Sequence, residues 1–438
     1  MRFTSAVASG LAAVGAAAST PNYLGFNSGS TQDDRSAKFK SDFLAEFKTA
    51  ANLKNSPGDF NSVRLYTNIQ AYSTEDPIQA FDAAVETETN ILLGVWASGT
   101  DSIDKEVTAL KKAIANHGSK LTDLVIGVNI GSEDLYRTSQ TGIENESGVG
   151  AGPDTIVNFI NDWKKAFKGT ALADTPVGHA DTWDAWTNGT NKAVIDAVDF
   201  LSVHEYPYYE GTKDNDISNA ADLFETAYEK TLAVAGDKPV WVTETGWPYV
   251  GPKWERAVAS VANAKKYWQD VGCKKLFNKT PTFWYTLRDA NPDNTMKFAI
   301  TDELSTTPRW DLSCPTTTDD DDNDDDNDND NDNDDDDSLT STSTSSSSKA
   351  TETVKSGSDE VTSSVSKPTS SSDSSSGSAT TTATATSGSD SSSSSNEEQA
   401  ASTPVSGSSS ETPVAAASTL KVSAVGIVAV IGGLVALF

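Results

Sequence analysis

The sequence is poor in several residue types, and each shortage narrows what it can encode. Among 438 residues there are two Cys, two Met and three His. The spacing of the His matches no common zinc pattern, so we expect no metal and no cofactor. Basic residues are also scarce, with 33 Lys and Arg against 63 Asp and Glu. This balance would repel a phosphate backbone, so nucleic acid is not an expected partner.

Aromatic residues are missing from one long part of the chain. Between positions 316 and 418 there is no Phe, Trp or Tyr. Such a segment cannot bury enough apolar surface to offset its conformational entropy, so we expect it to be disordered. It divides into an acidic spacer, 316–337, and a Ser/Thr-rich stalk, 338–407, of O-glycosylated type. The acidic run lacks the Gly and Glu spacing of a helix–loop–helix calcium site.

Uninterrupted runs of small or apolar residues occur at the two ends. Residues 1–18 have one basic residue, Arg2, before a small and apolar stretch that predicts a secretory signal peptide. The chain ends in fifteen apolar residues, too short for an ordinary membrane span. A polar spacer and the small residues Gly407, Ser408 and Ser409 precede them. This pattern predicts a GPI attachment signal, 408–438, that is removed; a plain tail anchor is the alternative.

A secreted route sets further expectations. The protein would be secreted and would reside at the extracellular face of the cell membrane. Cys273 and Cys314 are expected to form a disulfide, because secretion exposes the chain to an oxidising environment. Three sequons, at Asn145, Asn188 and Asn278, are candidate glycosylation sites.

Residues 19–315 have globular composition and contain eight predicted strands. These are YLGFNS from Tyr23, SVRLYT from Ser62, ILLGVWA from Ile91, LVIGVNI from Leu124, PVGHAD from Pro176, VDFLSVHEY from Val198, PVWVTET from Pro239 and TFWYTL from Thr282. Most are continuous apolar runs, which is typical of parallel strands covered on both faces. Eight β–α units in this length predict a (β/α)8 TIM barrel, and we expect the protein to be a monomer. A doubly wound sheet is the alternative, although no Gly-rich phosphate loop follows the first strand.

Apolar stripes between the strands predict helices. One stripe is Phe39, Phe43, Leu44 and Phe47, and a second is Ile103, Val107, Leu110 and Ile114, ending at Gly118. A third helix is predicted from Trp254 to Gln269, before Gly272.

Polar and aromatic residues follow the predicted strands, where a barrel places its active site. They are Asn27, Tyr66, Trp96, Glu133, Asp181, Glu205, Tyr206, Glu244, Trp247, Arg288 and Asp289. His179 and His204 also lie near this mouth and could contact a substrate, whereas His117 is expected at a solvated helix end. Carboxylates among aromatic residues suit a sugar cleft, and glycoside cleavage needs two of them. Spacing alone does not select Glu133 and Glu244 over Asp181 or Glu205.

Two segments carry a family resemblance. VNIGSEDLYR (128–137) and WVTETGWP (241–248) resemble the two active-site signatures of glycoside hydrolase family 17, and the chain plan resembles its GPI-anchored fungal glucan endo-1,3-β-glucosidases. The resemblance implies that Glu133 is the acid/base and Glu244 the nucleophile. It places Tyr66, Tyr206 and Trp247 in substrate binding, together with Ser132, where many members have Asn.

The same resemblance implies an activity. It is retaining endo-hydrolysis of β-1,3-glucosidic bonds in fungal wall glucan, with a role in wall remodelling. Retaining chemistry predicts carboxyl groups about 5–5.5 Å apart and a raised pKa for the acid, Glu133. A glucanosyltransferase on the same glucan and a non-catalytic glucan-binding wall or adhesion protein are the alternatives.

Overall fold

Eight parallel strands close into a barrel in the part of the chain that the computed structural model describes, residues 22–315. They are β1 Leu24–Ser28, β2 Ser62–Leu65, β3 Asn90–Val95, β4 Val125–Ser132, β5 Val177–Thr182, β6 Phe200–His204, β7 Val240–Glu244 and β8 Thr282–Trp284. Each pairs with the next, and β8 pairs with β1 through Trp284 opposite Phe26. The predicted barrel is therefore confirmed, with all eight strands.

Helices connect the strands. They are α1 Lys40–Ala51, α2 Ala80–Thr87, α3 Asp104–His117, α4 Ser119–Thr122, α5 Asp134–Thr138, α6 Gln140–Glu144, α7 Pro153–Phe167, α8 Trp183–Thr187, α9 Lys192–Ala197, α10 Ala220–Ala235 and α11 Val261–Tyr267, with 3₁₀ turns at Gly189–Asn191 and Pro207–Tyr209 and a π-helix at Trp268–Leu276. In α7, Ile156, Phe159, Ile160 and Trp163 are all buried, and this three-to-four residue spacing forms one apolar face.

The core has two parts. The larger cluster contains most of the buried apolar side chains, while Leu92, Phe200, Trp241 and Phe283 form a second cluster. These four side chains come from four different strands, so they fill the barrel interior, where the rings of Phe200 and Trp241 are 4.3 Å apart. Strands buried on both faces explain why the apolar runs are continuous.

The helix predictions hold with three corrections. The second stripe is confirmed on α3 for Val107, Leu110 and Ile114, with Gly118 at its end in a positive-φ conformation (φ 59°), while Ile103 is buried at the residue before the helix. The inclusion of Phe39 in the first stripe is wrong. α1 begins at Lys40, and the Phe39 backbone is extended, with its N–H donated to the Asp42 carboxylate. Phe39 is 53 % exposed.

The predicted start of the third helix is also wrong. Trp254 lies in a turn, where its backbone pairs reciprocally with that of Ala257. Helix α11 starts only after Ser260, whose hydroxyl accepts a hydrogen bond from the Asn263 N–H at 3.1 Å. Nor does Gly272 end the helix. A Cβ there would lie 2.5 Å from the Phe277 ring, so this glycine permits close packing inside the π-helix.

A disulfide joins Cys273 of the π-helix to Cys314, with Cα atoms 5.4 Å apart across 41 residues. The Trp268 indole donates to the carbonyl of Leu312 on the same segment. Together these bonds hold the segment that precedes position 315 against the barrel.

Several predictions fall outside the described residues. They are the signal peptide, the acidic spacer, the Ser/Thr-rich stalk and the GPI signal with Gly407, Ser408 and Ser409. Within residues 22–315, every helix is too short or too polar to cross a membrane. Of the sequons, Asn188 and Asn278 are exposed, and Asn145 is half-buried.

Candidate active site

The end of β4 is shaped so that Glu133 leaves the strand at the barrel mouth. Gly131 has φ +87°, and a Cβ there would lie 2.4 Å from Asp134 Oδ2, so only glycine fits. Glu133 itself has φ 58° and ψ 25°, an uncommon conformation for a residue with a side chain. Its N–H donates to the carbonyl of Ala180 on β5, which anchors the turn.

The Glu133 carboxyl group is buried, with 2 % of the residue exposed. His204 Nδ1 lies 3.0 Å from Oε1, and Arg137 Nη2 lies 3.5 Å from Oε2. Burial raises the pKa of Glu133, and the nearby charge of Glu244 adds to this, whereas His204 and Arg137 partly offset the rise. The environment therefore favours a proton on Glu133.

Glu244, the last residue of β7, is equally buried but has the opposite environment. Arg64 Nη1 donates to Oε1 at 2.6 Å, and the Tyr66 hydroxyl donates to the same atom at 2.7 Å. The Tyr206 hydroxyl donates to Oε2 at 2.8 Å. Burial alone would raise the pKa of Glu244, but the charges of His204 and Arg64 and these hydrogen bonds lower it to about 2.

Arg64 is a site residue that sequence reasoning missed. Its guanidinium, 1 % exposed, also donates to Asn27 Oδ1 at 2.8 Å and to Ser132 Oγ at 2.9 Å. It therefore connects β1, β2, β4 and β7 at the mouth. An Arg within an apolar strand was the available signal, because a buried guanidinium requires an anionic or polar partner.

The two carboxylates form a close pair. One oxygen of Glu133 and one of Glu244 lie within 4.8 Å of each other and of a ring nitrogen of His204. This is the one group of three potential metal ligands found in the described part of the chain. Arg64 and Arg137 contact the same carboxylates and would repel a cation, so we assign no metal to it.

The predicted subsite residues have different surroundings. Tyr66 and Tyr206 both bind Glu244 directly and border the mouth. Ser132 uses its hydroxyl to accept from Arg64. Trp247 lies deeper: it is 2 % exposed, its indole donates to the carbonyl of Val258, and its ring packs edge-on against Tyr208. That leaves almost none of its surface available to a ligand.

The structure separates Asp181 and Glu205, which residue spacing could not exclude as catalytic acids, from the pair Glu133 and Glu244. Asp181 is fully buried and accepts the N–H groups of Leu135 and Tyr136, which caps α5. Glu205 is 3 % exposed with Oε1 unpartnered among the described residues. Burial and the neighbouring Glu210 raise the pKa of Glu205 well above its usual range. Neither acid forms part of the close pair.

The three histidines have different surroundings. His179 is fully buried and bonds to the Ile130 carbonyl and to Asp181, so the expectation that it could contact a substrate is wrong. His117 pairs with Asp82 at 2.7 Å at the end of α3. His204 lies between the two carboxylates, a position that depends on three strands and that spacing could not reveal.

The remaining strand-end residues support the mouth. Asn27 donates to the backbone of β7 and β8, Arg288 binds Glu46, and Asp289 accepts the N–H groups of Phe298 and Ala299. Five aromatic side chains near this end of the barrel are half-buried: Tyr66, Trp96, Tyr209, Trp254 and Tyr285. Tyr66 donates to Glu244, the Trp96 ring lies against Arg137, and Trp254 packs edge-on against Tyr209.

Comparison with known proteins agrees with this geometry. Residues 26–300 match the BtgE/BtgC glycoside hydrolase domain. A probable glucan endo-1,3-β-glucosidase of Aspergillus niger is 51% identical over 304 residues, 69% of this chain and 65% of that protein. Thus the chain spans slightly less than two thirds of that relative. A protein of the same name from Aspergillus fumigatus is 49% identical over 320 residues, 73% of this chain and 70% of its own.

A solved structure shares the fold. It is a glycoside hydrolase family 17 β-1,3-glucanosyltransferase from Rhizomucor miehei, with TM-score 0.53 and 24% identity, covering 67% of this chain and 98% of that one. The barrel, the paired carboxylates and the domain match lead to one assignment. This chain belongs to the family defined by the BtgE/BtgC glycoside hydrolase domain, together with the fungal glucan endo-1,3-β-glucosidases.

Proposed function

We propose that the protein is a retaining endo-β-1,3-glucanase that acts on glucan of the fungal cell wall. The observation that carries this proposal is the pair Glu133 and Glu244. Oxygens of the two carboxyl groups lie within 4.8 Å, and their environments favour opposite ionisation. Retaining glycosidases keep these groups about 5–5.5 Å apart, whereas inverting enzymes need about 6.5–9.5 Å to admit water between them.

In the first half-reaction, Glu244 attacks the anomeric carbon as a carboxylate. Its pKa of about 2 keeps it ionised at any mildly acidic or neutral pH. Protonated Glu133 gives its proton to the departing glycosidic oxygen, and a covalent glucosyl ester forms on Glu244. The charge of Glu244 then disappears, which leaves Arg64 without its anionic partner.

In the second half-reaction, Glu133 is the base. It takes a proton from water while the water oxygen bonds to the anomeric carbon and the ester bond to Glu244 breaks. The returning carboxylate regains the hydrogen bonds from Arg64, Tyr66 and Tyr206. Those three donors therefore favour completion of the cycle.

The surroundings of the site and the names of the relatives support the proposed substrate class. The aromatic residues at the mouth offer flat apolar faces for pyranose rings. The Aspergillus relatives are named for cleavage of 1,3-β-glucan, at about 50% identity. A role in wall remodelling is proposed on the same basis.

Azide rescue tests the two roles on a 2,4-dinitrophenyl β-glycoside of a β-1,3-linked disaccharide. With Glu244→Ala, azide should replace the nucleophile and give the α-glycosyl azide. With Glu133→Ala, azide should intercept the glycosyl-enzyme and give the β-glycosyl azide. Rescue of the same anomer in both variants would contradict the retaining assignment.

Hydrolysis of laminarin tests the activity itself. The wild-type protein should release reducing oligosaccharides, and Glu133→Gln and Glu244→Gln should lose that release by at least about 100-fold. Products longer than the starting oligosaccharide would indicate glucanosyl transfer, in which a second glucan replaces water. Binding of laminarin without any cleavage would identify a non-catalytic glucan-binding protein.

We also propose that the protein is exported and held by a GPI lipid at the outer face of the membrane or in the wall. The supporting pattern is in the sequence alone: residues 1–18 and the ending after Gly407. Phosphatidylinositol-specific phospholipase C should release it from membranes. Retention, with the C-terminal apolar tail still present by mass spectrometry, would indicate a tail anchor.

A further inference from the structure

His204 lies between the two carboxylates that the proposed function uses. It is the last residue of β6 and is 1 % exposed. Its Nδ1 is 3.0 Å from Glu133 Oε1, within hydrogen-bond range, whereas its Nε2 is 3.7 Å from Glu244 Oε1, beyond it. Within residues 22–315, Nε2 has no hydrogen-bond partner.

The two carboxylates depend on His204 to different degrees. Glu244 already receives hydrogen bonds from Arg64, Tyr66 and Tyr206. The carboxyl oxygens of Glu133 have one hydrogen-bond partner within the described residues, and it is His204 Nδ1. An ionised carboxylate can only accept, so Nδ1 carries the imidazole proton whenever Glu133 is ionised.

The other charged groups around this imidazole have their own partners. Arg137 on α5 reaches Glu133 only at 3.5 Å, which allows attraction between charges but no hydrogen bond. Arg64 on β2 is engaged by Glu244 on β7. On the adjacent strand β5, His179 and Asp181 bind each other. None of these groups can replace the Nδ1–H on Glu133.

We propose that His204 is a positioning residue for the second half-reaction, in which its Nδ1–H stabilises Glu133 as a carboxylate so that Glu133 can accept the proton of the attacking water. This inference rests on the proposed function. The O–H bond of water breaks and its proton goes to Glu133. The water oxygen bonds to the anomeric carbon, and the ester electron pair returns to Glu244.

Two substitutions separate the two ring nitrogens. The amide of His204→Asn can donate near the position of Nδ1, whereas that of His204→Gln extends toward the position of Nε2. The probe is the 2,4-dinitrophenyl β-glycoside of a β-1,3-linked disaccharide, whose leaving group needs no acid, so the second step limits kcat. We expect kcat to fall about 100-fold in His204→Gln and less than tenfold in His204→Asn.

The pH profile gives a readout that a purely structural role would not move. Loss of a hydrogen bond to the ionised form raises the pKa of the acid. In His204→Gln, the alkaline limb of kcat/KM on laminarin should therefore move to higher pH, while His204→Asn should keep the wild-type limb. His117→Asn and His117→Gln, changes at a histidine on α3 away from the site, should leave both kcat and the profile unchanged.

Added azide decides between a defect in the second step and damage to the fold. Azide needs no base, so it should restore turnover of the dinitrophenyl glycoside by His204→Gln to near the wild-type rate. Equal kcat in the His204→Asn and His204→Gln variants, or no restoration by azide, would overturn the inference about His204. In that case, activity of the wild-type protein on laminarin would still support the proposed function. A wild-type protein that cleaves neither laminarin nor the dinitrophenyl glycoside would contradict both the inference and the proposed function.

Discussion

Arg64 Nη1 lies 2.6 Å from Glu244 Oε1, and both side chains are almost completely buried. The two residues are 180 positions apart in the chain and on strands that are not neighbours in the barrel. Their contact crosses the mouth of the barrel. It keeps the proposed nucleophile ionised at the place where burial alone would protonate it.

Replacing Arg64 should shift the acidic limb of the activity profile. In Arg64→Met the pKa of Glu244 should rise by about 1–3 units, because an opposite charge in contact lowers a carboxyl pKa by that amount. A larger fraction of the enzyme then has a protonated, inactive Glu244 at low pH. The acidic limb of kcat/KM on laminarin should therefore move to higher pH. Arg256→Met, which removes an exposed arginine paired with Asp214, should have no such effect. An unchanged acidic limb in Arg64→Met would show that Arg64 does not control Glu244.

Gly131 should be needed for the position of Glu133 as well as for its backbone conformation. In Gly131→Ala, the new Cβ is placed on a backbone of positive φ and would lie 2.4 Å from the Asp134 carboxylate. That carboxylate cannot move away freely, because it accepts hydrogen bonds from the Ser98 hydroxyl and the Ser132 N–H. Gly148→Ala is the matched control, since φ is +89° with nothing within 4 Å. Each should lose about 1–2 kcal/mol of stability from strain.

Only Gly131→Ala should also lose activity, by about 100-fold, because misplacing a reacting group by about 1 Å has a cost of that size. Thermal unfolding and kcat on laminarin give the two readouts. Equal activity of the two variants would mean that the close approach at Gly131 does not position Glu133.

Glu106 should make stability depend on pH. Its buried carboxylate accepts from Thr67 and from the Asn68 N–H, yet burial raises its pKa from 4.5 to about 7. The unfolded chain therefore releases this proton at lower pH than the folded protein does. The contribution of Glu106 to the free energy of unfolding is most favourable below pH 4.5 and declines by about 3 kcal/mol as pH rises to 7.

Glu106→Gln should flatten this dependence. Unfolding temperatures measured from pH 4 to 8 should fall less steeply in the variant than in the wild type. Glu75→Gln, at a partly exposed ion pair with Lys112, should keep the wild-type slope. Parallel curves for Glu106→Gln and wild type would contradict the assignment.

The disulfide should stabilise the fold without affecting the chemistry. Cys273 and Cys314 close a loop of 41 residues, for which chain entropy predicts about 4 kcal/mol. The double Ser variant should unfold at a lower temperature and retain wild-type kcat well below that temperature. Two free thiols in the wild-type protein, found by non-reducing peptide mapping, would refute the bond in solution.

The sequence by itself determined the barrel and the positions of its two strand-end acids. Continuous apolar runs such as Ile91–Val95 indicate burial on both faces. Eight predicted strands, most of them such runs and separated by helical stripes, allow few architectures. Glu133 and Glu244 were recognisable because each follows such a run within a family signature. These are local properties, encoded within about ten residues.

Tertiary structure alone decided how the acids differ. The strand-end pattern treats Glu133, Asp181, Glu205 and Glu244 alike. Only barrel closure brings Arg64 to Glu244, places His204 beside Glu133, and shows Asp181 capping α5. The pKa of a carboxyl group depends on its burial and on charges within a few ångströms. In this protein those charges come from strands far away in sequence, so the strand-end pattern could not distinguish the four acids, and their roles entered only as an implication of the family resemblance.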